Sequence, residues 1–502
     1  MNFIKKILSH LKYYPKNNAL FIRGESYTYE DFLTKALHLS DQLIKIINKN
    51  IPCVILSKKT ESFYVAMLAC FFSNTIYTPI NIRSPLERNK KIIHKLQPCC
   101  FFIGSVDYSI LENLISGIFL CDILTIDYSL YKKMSENDLN NRWHYIDFRN
   151  MRNSVSHYQE DNIAYLLFTS GSTGLPKGVP ILFRNLNAYL SDMSSLFQFT
   201  ISDHFSQFCD IAFDISLHEM LLCWYHGATL YVYDESTTLP LGTFLFTNAI
   251  THAILIPSII PQLKRECDIL QSSLPFLKLA FVCGEAFPIS YAKLLTSLAC
   301  NTTVVNLYGP TEATIGCLYH IYNKKNEYND TRLPIGFPLP NIHVKLSERQ
   351  ELIVFGNQIS PGYFISESTK KNPFQKINNI TFYYTGDIVD YDDVHGYVFL
   401  GRLDDQWQLQ GLRIEKQEVE NRLREVIGVD EIYVVAHRDK NNNTDYLVAF
   451  STHSIHLDLY QLKLKSLLSP FAIPRDFIYE ENIPRLCNGK INYKLLSELI
   501  NV

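Results

Sequence analysis

The 502-residue chain predicts an α/β fold: a large N-terminal body of mixed β-sheets flanked by helices, followed by a small α+β C-terminal domain. Two observations carry this. Over roughly the first four hundred residues, short apolar runs alternate with amphipathic stretches, the pattern of buried strands set between helices. Beyond that point the texture changes to shorter helices and alternating strands over about a hundred residues, enough for one further compact unit.

In order, Cys53–Leu56 is an apolar run of strand length and is followed by a helical stretch over Glu61–Ser73 and a second strand, Ile76–Ile80. Ile163–Phe168, Ala253–Ile256, Ala280–Cys283 and Thr303–Leu307 repeat the buried-strand pattern, and Ile215–Trp224 carries helical apolar periodicity. In the C-terminal part Lys416–Val426 and Asp458–Leu468 read as helices, and Glu431–Ala436, Tyr446–Phe450 and Asp476–Tyr479 as strands. The charged turn Gly401-Arg402-Leu403-Asp404-Asp405 separates the two textures, giving domains at 1–400 and 401–502.

Composition narrows the function. Hydrophobic residues are 47% and charged residues 19%, which excludes a disordered or fibrous chain. The balance of 47 basic against 50 acidic residues provides no footprint for nucleic acid or an anionic membrane. Apolar stretches stop short of a bilayer span: Phe63–Phe72 runs into Ser73 and Asn74, and Ile118–Leu120 soon meets Asp122. His10 and Lys12 interrupt the N-terminal apolar residues, so a cytoplasmic protein is expected. Twelve cysteines without a CxxC pair, and with Cys99-Cys100 lacking a nearby histidine, read as reduced and mostly buried thiols.

Chemistry concentrates in a few segments. Thr169-Ser170-Gly171-Ser172-Thr173-Gly174-Leu175-Pro176-Lys177-Gly178 directly follows a strand. A strand that empties into glycines, hydroxyls and one lysine offers N–H groups, hydroxyl donors and a positive charge to a polyphosphate. It is neither a Walker A loop nor a GxGxxG loop. Tyr308 can stack on a purine and Asn306 can pair with its amino edge, although a core tyrosine beside a turn asparagine looks the same in sequence. Glu312 is a hard oxygen ligand suited to Mg²⁺, which takes one or two carboxylates together with substrate phosphates. Asp387 after a glycine can accept two ribose hydroxyls or simply serve a turn, and Lys490 in an Asn-Gly-Lys loop is by itself a surface lysine.

Taken together and in order, these segments resemble the adenylate-forming enzymes, the superfamily of acyl-CoA synthetases, nonribosomal peptide synthetase adenylation domains and luciferases. Every fixed position of the family's TSGSTGxPKG loop is present, followed by Asn306–Glu312 (NLYGPTE), Tyr384-Thr385-Gly386-Asp387, Gly401-Arg402-Leu403-Asp404 and Asn488-Gly489-Lys490. The resemblance implies an AMP-binding domain at 1–400 and a mobile lid at 401–502. It also implies that ATP lies against Thr169, Ser170, Gly171, Ser172, Gly174, Lys177, Asn306, Leu307, Tyr308, Gly309, Pro310, Thr311, Asp387, Phe399, Leu400, Gly401 and Arg402. Glu312 would hold Mg²⁺, Thr173 and Lys490 would stabilise charge on the phosphoryl oxygens, and the lid would turn about Asp404.

The segment Phe213–Glu219 (FDISLHE) is similar to the one in which amino-acid-activating members place an aspartate for the substrate ammonium. Asp214 is that aspartate, or else the N-cap of the helix that follows it. The resemblance puts Ile215, His218, Ile254, Phe281, Cys283, Leu307, Ile315 and Gly316 around the substrate side chain. They are mostly apolar, with Phe281 and Ile254 narrowing the space, which implies a small or apolar amino acid. His218 alone would more often be a satisfied core or surface histidine. Phe281–Pro288 and Asn306–Thr314 are similar to the D-alanine–D-alanyl carrier protein ligases, which share the cysteine at Cys283. Among small or apolar amino acids D-alanine is therefore the first candidate, although these residues do not encode chirality, with transfer to the phosphopantetheine thiol of a separate carrier protein. Gln408 and Gln410 replace basic residues common beside the family's thiol channel, which weakens the case for free coenzyme A. The stretch Lys345–Leu352 implies a trimmed hairpin. The alternatives are an acyl-CoA synthetase for a non-amino acid, in which Asp214 would meet no cation, and a non-catalytic nucleotide binder.

Overall fold

The computed structural model describes residues 2–47, 51–96, 100–115, 121–138, 141–148, 159–169, 176–234, 238–328, 332–364, 372–403, 406–439, 445–485 and 491–500. A seven-stranded sheet takes the order Arg142–Tyr145, Asp122–Thr125, Cys100–Ile103, Pro52–Leu56, Ile76–Pro79, Ile163–Thr169, Lys177–Leu182. Its strands are parallel except for the last pair, an antiparallel hairpin. Parallel neighbours need crossovers, and Glu61–Ser73 supplies one as an α-helix between Pro52–Leu56 and Ile76–Pro79. This helix is apolar on all sides because it is covered on all sides. The Tyr64 hydroxyl donates to Gln207 Oε1 (2.9 Å) in the second sheet.

That second sheet has nine strands in the order Phe337–Pro338, Leu318–Ile321, Thr303–Tyr308, Leu279–Val282, His252–Leu255, His204–Gln207, Thr229–Val232, Asn18–Ile22, Glu25–Thr28. Its centre is parallel and its edges are antiparallel. The helix Ile215–His226 is buried from Ser216 to Trp224, and Trp224 Nε1 donates to the Ala19 carbonyl (2.9 Å) of this sheet. One apolar core contains residues of both sheets and of this helix. It leaves the carboxyl ends of the parallel strands as the natural place for a ligand.

A five-stranded antiparallel sheet covers residues 342–402. In it Ile342–Leu346 pairs with Glu351–Gly356 through the expected short hairpin. The strand Gly396–Arg402 carries this sheet two residues past position 400, so the textural change at 400 falls inside a strand. The C-terminal α+β part follows: the hairpin Gln406–Leu409/Leu412–Glu415, the helix Lys416–Ile427 and a three-stranded sheet of Ile432–Arg438, Asp445–Ser451 and Asp476–Tyr479. Its apolar clusters share no residue with those of the large body.

One predicted helix differs. Asp458–Leu468 is instead a 3₁₀ turn at Leu457–Leu459 and a helix at Gln461–Leu467, broken at Tyr460 (φ −114°). Leu459 and Leu462 are exposed, so no burial holds one continuous helix in register there. Nine of the ten described cysteines are buried and Cys300 is exposed, all with free thiols. Among the described residues, no helix is long and apolar enough to cross a membrane.

Candidate active site

Several expected residues stand at strand ends: Thr169 and Lys177, at either end of the phosphate loop, in the hairpin of the seven-stranded sheet, where they are register partners, and Tyr308 at the end of a strand of the nine-stranded one. Ser170, Gly171, Ser172, Thr173 and Gly174 lie outside the described residues, as do Asp404 and Lys490. Both ends of the loop are tied to one helix, Leu86–Lys95: Arg88 Nη2 donates to the Phe168 carbonyl (3.1 Å) and Lys95 Nζ to the Pro176 carbonyl (3.2 Å). Thr169 Oγ1 is buried without a partner. Lys177 Nζ is 3.8 Å from Glu415 Oε1 and 5.6 Å from the centroid of the Tyr363 ring.

The strand Thr303–Tyr308 delivers the expected nucleotide residues. Asn306 Nδ2 donates to the Pro334 carbonyl (2.7 Å), which orients the amide and leaves Oδ1 as the acceptor an adenine amino group requires. The Tyr308 hydroxyl donates to Asp387 Oδ2, and Arg402 Nη1 donates to Asp387 Oδ1. The residue expected at the ribose is therefore also the clamp that fixes the Tyr308 ring and ties the antiparallel sheet to the nine-stranded one. Pro310 and Thr311 start a 3₁₀ turn that carries Glu312. Gly309 has no room for a side chain, because a Cβ there would sit 2.6 Å from Gly316 Cα. Phe399 pairs with Val389 and Gly401 with Ile388, which puts Phe399, Leu400, Gly401 and Arg402 on the strand beside Asp387.

Glu312 is fully buried. Tyr363 donates its hydroxyl to Oε1 (2.9 Å), and Arg413 Nη1 lies 3.1 Å from Oε1 and 3.2 Å from Oε2. Burial, the largest single influence, would push this carboxyl up; the Arg413 guanidinium together with hydrogen bonds from its own backbone and from Tyr363 and Tyr383 holds it below the usual carboxylate value. Among the described residues no cluster of three acidic, histidine or cysteine groups surrounds it. A lone hard carboxylate fits Mg²⁺ that takes its remaining ligands from nucleotide phosphates and water, and fits no all-protein metal cage. Arg413 belongs to the C-terminal hairpin and occupies the carboxylate a metal would use.

Several residues expected around the substrate side chain contact one another. Ile254 and Phe281 are register partners on adjacent strands. The Phe281 ring stands edge-on to His218, with centroids 4.5 Å apart, and is backed by Phe197 at 5.1 Å. The Tyr189 hydroxyl lies 2.6 Å from His218 Nδ1, and burial pushes this histidine down to about 3, so it is a neutral wall. Ile215 Cδ1 comes within 3.4 Å of the point where a Cβ on Gly284 would lie. A Cβ on Gly316 would collide with Leu307 at 2.6 Å. Burial pushes the Cys283 thiol up to about 12, which keeps it neutral. Thr314 (φ 61°) and Ile315 (φ 69°) are held in the left-handed region, with Gly316 N–H bonded to the Thr314 carbonyl (2.8 Å). A β-branched residue there is strained, and strain of this kind gathers at ligand sites.

Asp214 does not serve as a side-chain cap. Its backbone is already helical (φ −62°, ψ −26°) and its side chain makes no cap bond. Oδ2 is buried without a partner. Burial pushes the carboxyl up to about 7, opposed by a bond from Thr311 and reinforced by the charge of Glu312. A buried acceptor without a donor is destabilising by about 1–3 kcal/mol, which a bound ammonium removes.

Arg413, Tyr363 and Tyr189 are contacts that sequence reading missed. Arg413 left one trace, as the single basic residue of the otherwise nearly uncharged hairpin Gln406–Glu415. The two tyrosines left none.

The family profile described as AMP-binding enzyme matches residues 9–364. The D-alanine–D-alanyl carrier protein ligase of Staphylococcus epidermidis is 29% identical over 463 residues, covering 90% of each chain. The ligase of the same name from Staphylococcus haemolyticus is 29% identical over 499 residues, 97% of each. The adenylation domain AlmE of Vibrio cholerae, solved with glycyl-adenosine-5'-phosphate, superposes with a TM-score of 0.88 at 25% identity, over 99% of this chain and 97% of that one.

Proposed function

Since the chain belongs to the AMP-binding enzyme family and is an AMP-forming adenylating enzyme, we propose that its acid is a small amino acid, D-alanine first. The aminoacyl-AMP then passes to the phosphopantetheine thiol of a separate carrier protein. The observation that carries the amino-acid reading is Asp214: a buried carboxylate with an unpartnered oxygen, among expected neighbours that include no lysine or arginine and one histidine kept neutral by burial. A fatty or aryl acid would leave that group unsatisfied. The size limit comes from Phe281, wedged between His218 and Phe197. The names of the Staphylococcus relatives and the glycyl ligand of AlmE support a side chain no larger than a methyl group.

In this mechanism Asp214 orients the ammonium so that the substrate carboxylate meets the α-phosphorus, and pyrophosphate leaves. Asn306 Oδ1 accepts from the adenine, the Tyr308 ring stacks on it, and Asp387 faces the ribose. Lys177, Thr173 and Lys490 carry the charge that develops on the phosphoryl oxygens. A magnesium ion on Glu312 would neutralise phosphate charge when bound. Arg413 holds Glu312 from the hairpin of residues 406–415, so this carboxylate would be open to a metal ion only with that hairpin displaced.

The test is amino-acid-dependent ATP–pyrophosphate exchange with D- and L-alanine, glycine, serine, larger aliphatics and short fatty acids. Exchange driven by one small amino acid and lost in Asp214→Asn is the expected result. Exchange driven by fatty acids that survives Asp214→Asn would move the protein to the acyl-CoA synthetases.

A further inference from the structure

A five-residue strap, Ser360–Phe364, is tied at each end beside a charged group of the nucleotide site. At one end Ser360 N–H donates to the Glu312 carbonyl (2.9 Å), and the Ser360 hydroxyl donates to the Pro180 carbonyl (2.8 Å). At the other, Phe364 N–H donates to the carbonyl of Gly178 (2.8 Å), the residue after Lys177. The seat is tight, since a Cβ on Gly178 would lie 3.2 Å from the side chains of Leu166, Phe168 and Phe364. Tyr363 stands between the two anchors. Its hydroxyl is on Glu312 Oε1 (2.9 Å), its ring lies beneath Lys177 Nζ (5.6 Å), and Phe374 packs edge-on against it with centroids 5.2 Å apart.

We propose that Tyr363 is a positioning residue for the adenylation reaction, joining the cation of the phosphate loop to the metal-binding carboxylate. Its hydroxyl, with that of Tyr383, fixes the rotamer of Glu312, whose two oxygens Arg413 Nη1 meets at 3.1 and 3.2 Å and would share with a metal ion. Its ring holds Lys177 by cation–π contact at a set distance from that carboxylate. A triphosphate that must bridge an ammonium and a metal ion then meets both at one spacing, without reorganisation at the moment of reaction. This inference rests on the nucleotide and metal reading of Glu312 proposed above.

The full-length protein is tested as wild type, Tyr363→Phe, Tyr363→Leu, Glu312→Gln and the Tyr363→Phe/Glu312→Gln double variant. Mn²⁺ binding in the presence of a non-hydrolysable ATP analogue is read from the electron paramagnetic resonance of the free ion, and KM values come from pyrophosphate exchange. Tyr363→Phe is expected to bind Mn²⁺ about tenfold more weakly, with the KM for the amino acid unchanged. Tyr363→Leu is expected to raise the KM for ATP as well, a defect that Phe at the same position does not share. In the Glu312→Gln background the loss of the hydroxyl is expected to add nothing, because it acts through that carboxylate. Unchanged Mn²⁺ affinity in Tyr363→Phe, or a loss that adds in full to that of Glu312→Gln, overturns the proposal. Wild-type protein that binds no Mn²⁺ with the nucleotide overturns the reading of Glu312 itself.

Discussion

Asp214 is the residue whose titration should be visible in function. With the pocket empty its carboxyl sits at about 7. The ammonium pairs with the ionised form, so the KM for the amino acid should fall as pH rises from 6 to 8 and level off above. Asp214→Asn should bind weakly and show no such profile; a parallel profile in the variant would assign the titration elsewhere. Stability runs the other way. The folded value is raised above the 3.8 of an unperturbed aspartate, so the contribution of this group is present in full below about 4 and is lost as pH rises through about 7. Asp214→Asn should therefore melt higher than wild type at pH 8 and match it near pH 4. His218 is the second informative residue. It is a neutral wall pinned by Tyr189 and Phe281, so His218→Ala should open the pocket and raise kcat/KM for a larger aliphatic amino acid relative to alanine by about 10- to 100-fold. An unchanged ranking in exchange assays would place the size limit elsewhere.

Among elements, the hairpin Gln406–Leu409/Leu412–Glu415 does the most with the fewest residues. Arg413 and Glu415 lie two apart, on one face of a strand, and meet Glu312 and Lys177, the two groups a metal-bound triphosphate would otherwise meet. Near its tip, Gly411 Cα lies 3.6 Å from where a Cβ on Gly284 would be. Arg413→Ala removes the partner of a buried carboxylate, a change that typically costs about 3–5 kcal/mol. The docked hairpin should be disfavoured and Glu312 released to a metal, so calorimetric titration should show tighter Mg·ATP binding than in wild type. Weaker binding would mean that the guanidinium itself holds the nucleotide. Sequence reading singled out Gln408 and Gln410 in this stretch, but not what faces it across more than a hundred residues.

For the whole molecule, the separation of apolar clusters on either side of residue 403 argues that the C-terminal part is built as its own unit. A chain ending at Arg402 should fold cooperatively and bind ATP, yet show no pyrophosphate exchange, since Lys490 is gone. Lys490→Ala in the full chain should lose exchange by about 10²- to 10³-fold while the melting temperature stays the same. Full exchange in either would remove the lysine from the reaction.

The sequence by itself determined the strands and the order of the motifs. Buried strands such as Ile163–Thr169 and Leu279–Val282 announce themselves by local composition, and a phosphate loop by residue types a few positions apart. It also pointed to neighbours such as Ile254 and Phe281, which the fold sets side by side on adjacent strands. The tertiary structure decided what each group does there. Only burial turns Asp214 from a possible cap into an unpartnered acceptor. Only the approach of a distant hairpin puts Arg413 on Glu312, and only a strap pinned at Gly178 and Glu312 brings Tyr363 between them. The reason is physical: a strand or a glycine-rich loop is specified by neighbours in the chain, whereas the charge state and partner of a buried side chain are set by groups that the fold delivers from hundreds of residues away.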